Sequence, residues 1–273
     1  MEIIKNLKAA RNYKDNIGIR IYIFYFLMKM DVLKLLNKRS DKLLSCTFLN
    51  QVLVGYSYKT IKFLFCEVFL TSDYSFSSSK KSPVIIDCGA NVGISIAYFK
   101  YLYPKSIIHA YELSPYSHKA LQELVRLNRY TDVHLYNVAL ANKSGEVEFY
   151  SDGAMGSTRA SLYKNRSGNL PTLVKSQQLS QYITQFGTVD FVKMDVEGAE
   201  VLILEDLSES KQLERIGEMV IEYHHNIEGV KSDFSGFLNK FQNAGFIYKL
   251  KGNYNESKNY QDILVRLKKI ENG

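Results

Sequence analysis

The stretch Val84–Phe99, VIIDCGANVGISIAYF, decides the reading of this 273-residue chain. A short apolar run ends in an acid, Asp87. A loop of small residues follows, framed by Gly89 and Gly93, and a helix-like run opens at Ile94. An apolar run without polar alternation is what a strand buried on both faces requires. The turn excludes two phosphate-binding devices. A P-loop needs a Lys to reach the phosphates, and GANVGIS has none. A dinucleotide turn needs G-x-G-x-x-G so that backbone can approach a pyrophosphate, and here Ala90 and Asn91 fill the middle. The loop suits an adenosine-containing ligand without a diphosphate.

Working outward, strand and helix patterns alternate. SIIHAYE (106–112) predicts a second strand, followed by a helix with Ser114 as N-cap and Pro115 in the first turn. DVHLYNVAL (132–140) predicts a third strand and GEVEFYS (145–151) an added one. Residues 152–176 are polar, with Gly153, Gly156, Gly168 and Pro171, and read as a long loop that selects the acceptor as a lid. VDFVKMD (189–195) and GEMVIEYH (217–224) predict two further strands, with a helix in GAEVLILEDL between them. A helix closed by Gly245 precedes a final antiparallel pair, FIYKLKG and DILVRLKK. The expected fold is α/β, a mostly parallel sheet with an antiparallel end, flanked by helices.

S-adenosylmethionine is a ligand of the required kind. Its sulfonium and amino group want acids, and Asp87 ends the first strand. Its ribose diol wants a carboxylate at the end of the second. Glu112 stands 23 residues after Gly89, close to the ~20-residue spacing at which such an acid holds a ribose. A carboxylate on two hydroxyls is a geometrically specific pairing.

Composition bounds the rest. The three cysteines, Cys46, Cys66 and Cys88, show no C-x-x-C spacing, which argues against a disulfide framework or structural zinc and fits a reducing cytoplasm. Residues 1–83 hold 14 Lys and Arg against 6 Asp and Glu, whereas residues 84–273 hold 21 against 22. The positive charge therefore sits in the leading segment, residues 1–77, which reads as mostly helical and separate from the body, 78–273. Its apolar run IGIRIYIFYFLM (17–28) contains Arg20 and is too short to span a bilayer. That run reads first as a buried helix, and the charge of the segment as a solvated helical face; the alternative is peripheral contact with an anionic membrane through Arg11, Lys14, Arg20 and Lys29, or docking of an anionic glycan acceptor.

At this point the residues resemble a known family. FCEVFLTSDYSF, VIIDCGANVGISIAYFKYLYP, AYELSP, NVAL, DFVKMDVEGAE and VIEYHH together are similar to the FkbM-type S-adenosylmethionine-dependent methyltransferases, over about residues 60–225. D-V-E-G-A-E is the most specific block. The commoner F-E-P is Tyr111-Glu112-Leu113 here, which keeps the acid and loses the proline. The resemblance implies a Rossmann-like, seven-stranded methyltransferase sheet and O-methylation of a sugar of a glycan or glycolipid, or of a secondary metabolite. It implies that Asp87, Gly89, Ala90, Asn91, Gly93, Glu112, Leu113, Ala139 and Asp195 bind S-adenosylmethionine, with Ala139 flanking the adenine.

For catalysis the candidates are Asp195, Glu197, Glu222 and His224, all just after strand ends, where ligands bind in open α/β sheets. His224 is the first choice as base, because an unperturbed imidazole titrates near neutrality. Glu200 reads with Glu197 as a helix N-terminal acid. Tyr74 and His225 are expected to touch the substrate. Asp195, Glu222 and His224 could converge on a hard cation, but no metal is expected. Two rivals remain: an RNA methyltransferase using the basic segment, which the missing N-P-P-[YF] block disfavours, and a methyltransferase fold kept as a non-enzymatic binding module. A nicotinamide oxidoreductase is disfavoured by the missing G-x-G-x-x-G and the missing Tyr-x-x-x-Lys dyad.

Overall fold

A computed structural model describes residues 2–13, 15–36, 41–151, 153, 160–164, 170–227, 229–252 and 261–270. Two helices lead, α1 (Glu2–Asn12) and α2 (Ile17–Leu36). A hairpin of β1 (Leu44–Phe48) and β2 (Gln51–Gly55) follows. Helix α3 (Tyr58–Phe65) is capped by Ser57, whose side chain accepts from Thr60 N, and runs directly into a π-helical turn, Cys66–Leu70. The leading segment is thus helical, as expected, but interrupted by a hairpin that its apolar sequence did not announce.

The body then alternates: β3 (Val84–Cys88), α4 (Ile94–Leu102), β4 (Ile107–Tyr111), α5 (Pro115–Asn128) and β5 (Val133–Tyr136). Ser114 caps α5 and Pro115 opens it. Next come β6 (Ala139–Leu140), β7 (Gly145–Ser151), β8 (Ala160–Ser161) and β9 (Leu170–Gln177). Helix α6 (Leu179–Phe186), β10 (Val189–Met194) and α7 (Glu200–Glu209) lead to β11 (Ile216–His225). Helix α8 (Phe234–Asn243), β12 (Phe246–Gly252) and β13 (Gln261–Lys269) complete the chain.

Seven strands form the main sheet in the order β12-β13-β11-β10-β3-β4-β5. Strand β13 runs antiparallel to both its neighbours, and the pairs from β11 to β5 are parallel. The expected mixed sheet is present. The final strand, however, slots between β11 and β12 instead of extending the edge.

The pleat of β3 divides the core. Ile85 faces one side with Ile23, Phe26, Phe65, Phe69 and α4, so the leading segment packs in the same core as α4. Ile86 and Cys88 face the other side with α6, α7 and α8. Phe76 stacks on Phe191 of β10 with ring centroids 4.5 Å apart, which ties the segment before β3 to the sheet.

Two expectations need correction. Residues 170–176 are not loop: β9 pairs along β7 and meets β6, making a second sheet, β6-β9-β7-β8. The remainder of the expected lid lies largely outside the described residues, as does the turn before β13. DVHLYNVAL is not one strand, because the chain leaves the main sheet at Asn137, whose amide donates to Glu112 O and Leu113 O, and β6 joins the second sheet.

Candidate active site

Strand β3 is flanked by β4 on one side and β10 on the other. The chain changes direction there, and ligands of open α/β sheets bind at such a point, beyond the carboxyl ends of the strands. A cavity of about 240 Å³ opens there.

Gly89 begins the loop with φ +82°, and a Cβ on it would lie 1.8 Å from Asp195 O. The N–H groups of Gly89 and Ala90 donate to Tyr111 O, each at 3.0 Å. These contacts fasten the β3 loop to the ends of β4 and β10. Gly93, at φ +89°, sits where a Cβ would meet Leu121 Cδ1 at 2.7 Å, so it serves close helix packing and not the cavity wall.

Glu112 follows β4. Its Oε2 accepts from Asn91 N at 2.8 Å and its Oε1 from Ser114 N at 2.7 Å. Each oxygen keeps a second lone pair for a ligand hydroxyl. Burial pushes this carboxyl up to about 7, and the two N–H groups work against that rise. Around it the wall is apolar: Leu113, Val138, Ala139, Leu140 and Leu162. Leu162 comes from the segment read as a lid.

The other end of the cavity is acidic, lined by Glu67, Asp195, Glu197, Glu222 and Asp262 with Lys193 and Tyr74. The π turn places Glu67 and Val68 on this wall. Such turns recur at functional sites. Burial, and then Asp195, pushes the Glu67 carboxyl up to about 7. Burial, and then Asp195, likewise raises Glu222. These acids hold one another back from ionising, so this end favours an incoming cation.

Lys193 is the residue the sequence reading missed. Its Nζ lies 3.2 Å from Asp87 Oδ1 and 3.9 Å from Asp195 Oδ2, donates to Gly89 O at 2.9 Å, and stands 5.5 Å over the Tyr74 ring. Burial alone would lower it; Asp87 and Asp195 outweigh burial and hold it up. A Lys within VDFVKMD was the available signal, since a cation in a fully buried strand must have a partner. Asp87 is fully buried behind the loop. It accepts from Ser95 Oγ at 2.5 Å and pairs with Lys193, so it braces the site from behind and does not line the cavity.

His224 also stands behind the wall. Its Nδ1 lies 2.8 Å from Glu200 Oε1, and its Nε2 lies 3.5 Å from Glu197 and 4.0 Å from Asp195. Burial would lower the imidazole, but Glu200 first, then Glu197 and Asp195, raise it well above neutrality. These carboxylates favour the protonated imidazole, which offers no lone pair for a proton, so the geometry does not favour the base role expected from sequence. Glu200 is more than a helix-dipole acid. Its Oε1 also accepts from Val196 N and Gly198 N, at 3.3 and 3.0 Å, and so holds the D-V-E-G-A-E turn. His225 points to the opposite face of β11, as the strand period requires. It bonds Ser232 Oγ at 2.7 Å and packs near Tyr223 and Phe234, so it is not on the cavity wall.

Among the described residues, Asp195, Glu197 and His224 bring ligand atoms within 4.8 Å of one another, and so do Glu222, His224 and Asp262. Such sets suit a hard cation.

The strand order and the glycine loop at the switch point define a Rossmann-like methyltransferase fold. Residues 87–248 match the model of the methyltransferase FkbM domain, and the chain belongs to that family. It is 24% identical over 206 residues to Methyltransferase 1 of Beauveria bassiana, covering 68% of this chain and 81% of that one. It is 24% identical to Methyltransferase sdnD of Sordaria araneosa, covering 59% and 74%. It is 25% identical to 2-O-methyltransferase NoeI of Sinorhizobium fredii, covering 44% and 56%.

Proposed function

We propose that this methyltransferase carries a methyl group from S-adenosylmethionine to a hydroxyl oxygen on a sugar of a glycan or glycolipid, or on a secondary metabolite. The observation that carries the reading is the polarity of one cavity: a hydrogen-bonded carboxylate with spare lone pairs beside an apolar wall at one end, and carboxyls raised by burial and then by mutual repulsion at the other. The donor set fits the cofactor. Glu112 would hold the ribose hydroxyls, Leu113, Val138 and Ala139 would flank the base, and the acidic end would favour the positive charge. The relative named as a 2-O-methyltransferase supports an oxygen acceptor.

Bound there, S-adenosylmethionine supplies a methyl carbon already activated by its sulfonium. The chain's task is to align the acceptor and receive its proton. Alignment contributes most of the rate, and a base adds ~10²–10⁴-fold. Asp195 is one of the carboxylates on the cavity wall, with Lys193 Nζ 3.9 Å and His224 Nε2 4.0 Å from its oxygens. In this reading it accepts the hydroxyl proton, Glu222 stands across from it, and Tyr74 under Lys193 closes the wall.

The test is calorimetric titration with S-adenosylhomocysteine, repeated on Glu112→Ala and with NADH. Binding by the wild type, weakened ~10–100-fold in the variant as for loss of a charge-assisted pair, with no response to NADH, is the expected result. Unchanged affinity in Glu112→Ala would remove the ribose assignment, and binding of NADH alone would overturn the cofactor. Transfer of labelled methyl to glycans or to RNA then separates the acceptor classes.

A further inference from the structure

Helix α2 is apolar on both sides. Ile23, Phe26, Leu27 and Met30 are buried in the core. On the opposite side Ile17, Ile21, Tyr25, Val32, Leu35 and Leu36 are each 54–75% exposed. At helical spacing these six fall within about 100° of arc, along a helix about 30 Å long. A helix that is apolar all round is ordinarily covered on every side. Helix α1 adds Ile3, Ile4 and Leu7, 55–60% exposed.

The charges near this face are chiefly positive. Lys5, Lys8, Arg11 and Lys29 are exposed. Asp31, the acid within α2, is turned away: its carboxylate takes Lys62 Nζ at 2.7 Å, Asn6 Nδ2 at 2.7 Å and Lys34 Nζ at 3.2 Å. Glu2 in α1 and Asp15 between the two helices are the exposed acids of this region. No described helix is long and apolar enough to cross a membrane.

We propose that α1 and α2 seat this protein flat on an anionic lipid surface. The outward Ile, Val, Leu and Tyr side chains enter the acyl boundary, and Lys5, Lys8, Arg11 and Lys29 meet the headgroups. Charge complementarity selects this occupant. A two-fold contact with a second copy would bring the same cations together. With Tyr25 as the single aromatic among the six outward residues of α2, this face offers nucleic acid little to stack on. Helix α3 packs against α2 and carries Phe63, which is exposed and on the cavity wall. This proposal is independent of which acceptor is methylated.

Vesicle flotation of the full chain tests it, using phosphatidylcholine with and without phosphatidylglycerol. The expected result is binding to the anionic vesicles that weakens with salt. Ile21→Asp combined with Val32→Asp should lower the bound fraction ~10-fold or more, with unchanged circular dichroism and S-adenosylhomocysteine affinity. Lys5→Glu with Lys8→Glu, a gentler variant, should remove the preference for anionic lipid. Absence of flotation, equal binding to both vesicles, or a dimer in light scattering that the Ile21 and Val32 changes abolish while vesicles bind nothing would each overturn the proposal.

Discussion

Glu200 shows how much one buried carboxylate can organise. Three donors converge on it, Val196 N, Gly198 N and His224 Nδ1. It is a positioning residue, which touches the cavity only through the turn and the imidazole it fixes. Glu200→Ala would leave those donors unmatched in the interior and should destabilise the fold by about 2–4 kcal/mol, read as a lower urea midpoint. Glu200→Gln keeps an acceptor but loses the charge that holds His224 protonated. Its S-adenosylhomocysteine affinity should stay near wild type while kcat falls ~10-fold or more and the pH profile of kcat shifts. An unchanged profile would show that the imidazole charge is irrelevant to turnover. Glu67 offers a test in the other direction. Its carboxyl rises from the ordinary 4.5 to about 7 on folding, so the folded state binds more protons and stability falls as pH climbs through that window. Glu67→Gln carries no charge at any pH. It should raise Tm near pH 8 and change it little near pH 5; Glu112 contributes with the same sign. The sequence displayed Glu112 clearly, by its place after a strand end, but not Glu67, which lies on a π turn that follows a helix. It could not display His224 as a cation, because that follows from carboxylates on two other segments.

At the scale of elements, β3, α4, β4 and α5 were legible because each carries its own signal: continuous apolar runs, a glycine turn, a Ser cap with Pro in the first turn. Helix α6 was not. Its N-cap Gln178 makes no side-chain capping bond, and its stability rests on burying Leu179 and Ile183. Strand β9 hid behind Pro171 and a mostly exposed face. Along most of its length β9 pairs with β7 alone, so Pro171 breaks no second ladder. The loop after β3 is where sequence and packing agree most tightly. Gly89→Ala would force a Cβ against Asp195 O at a φ that disfavours side chains. We expect a loss of at least ~2–4 kcal/mol together with loss of S-adenosylhomocysteine binding, measured by denaturant titration and calorimetry. A variant of near wild-type stability would mean that the β3 and β10 ends move apart readily.

At the scale of the whole molecule, the leading segment is the part sequence read least well. Its charge suggested a solvated helical face, yet Lys62 is largely buried, shared between Asp31 and Asn6, and Phe26, Phe48, Phe65 and Phe69 interlock as aromatic neighbours. Charge counts cannot separate a paired interior Lys from a surface one; only the fold does. The positive character that remains outward lies on α1 and α2, next to apolar side chains, which is why the membrane reading belongs to the surface as a whole and to no single residue.

The placing of β13 has a consequence for how this molecule is made. Strands β11 and β12 share a gap that only residues 261–269 can fill. While a ribosome is still adding them, β11 and β12 each present an open edge, and such edges invite pairing with other chains. Synthesis therefore leaves the sheet unfinished until its last strand emerges. A chain halted after Gly252 should therefore pair with other chains more readily than one extended through Lys269.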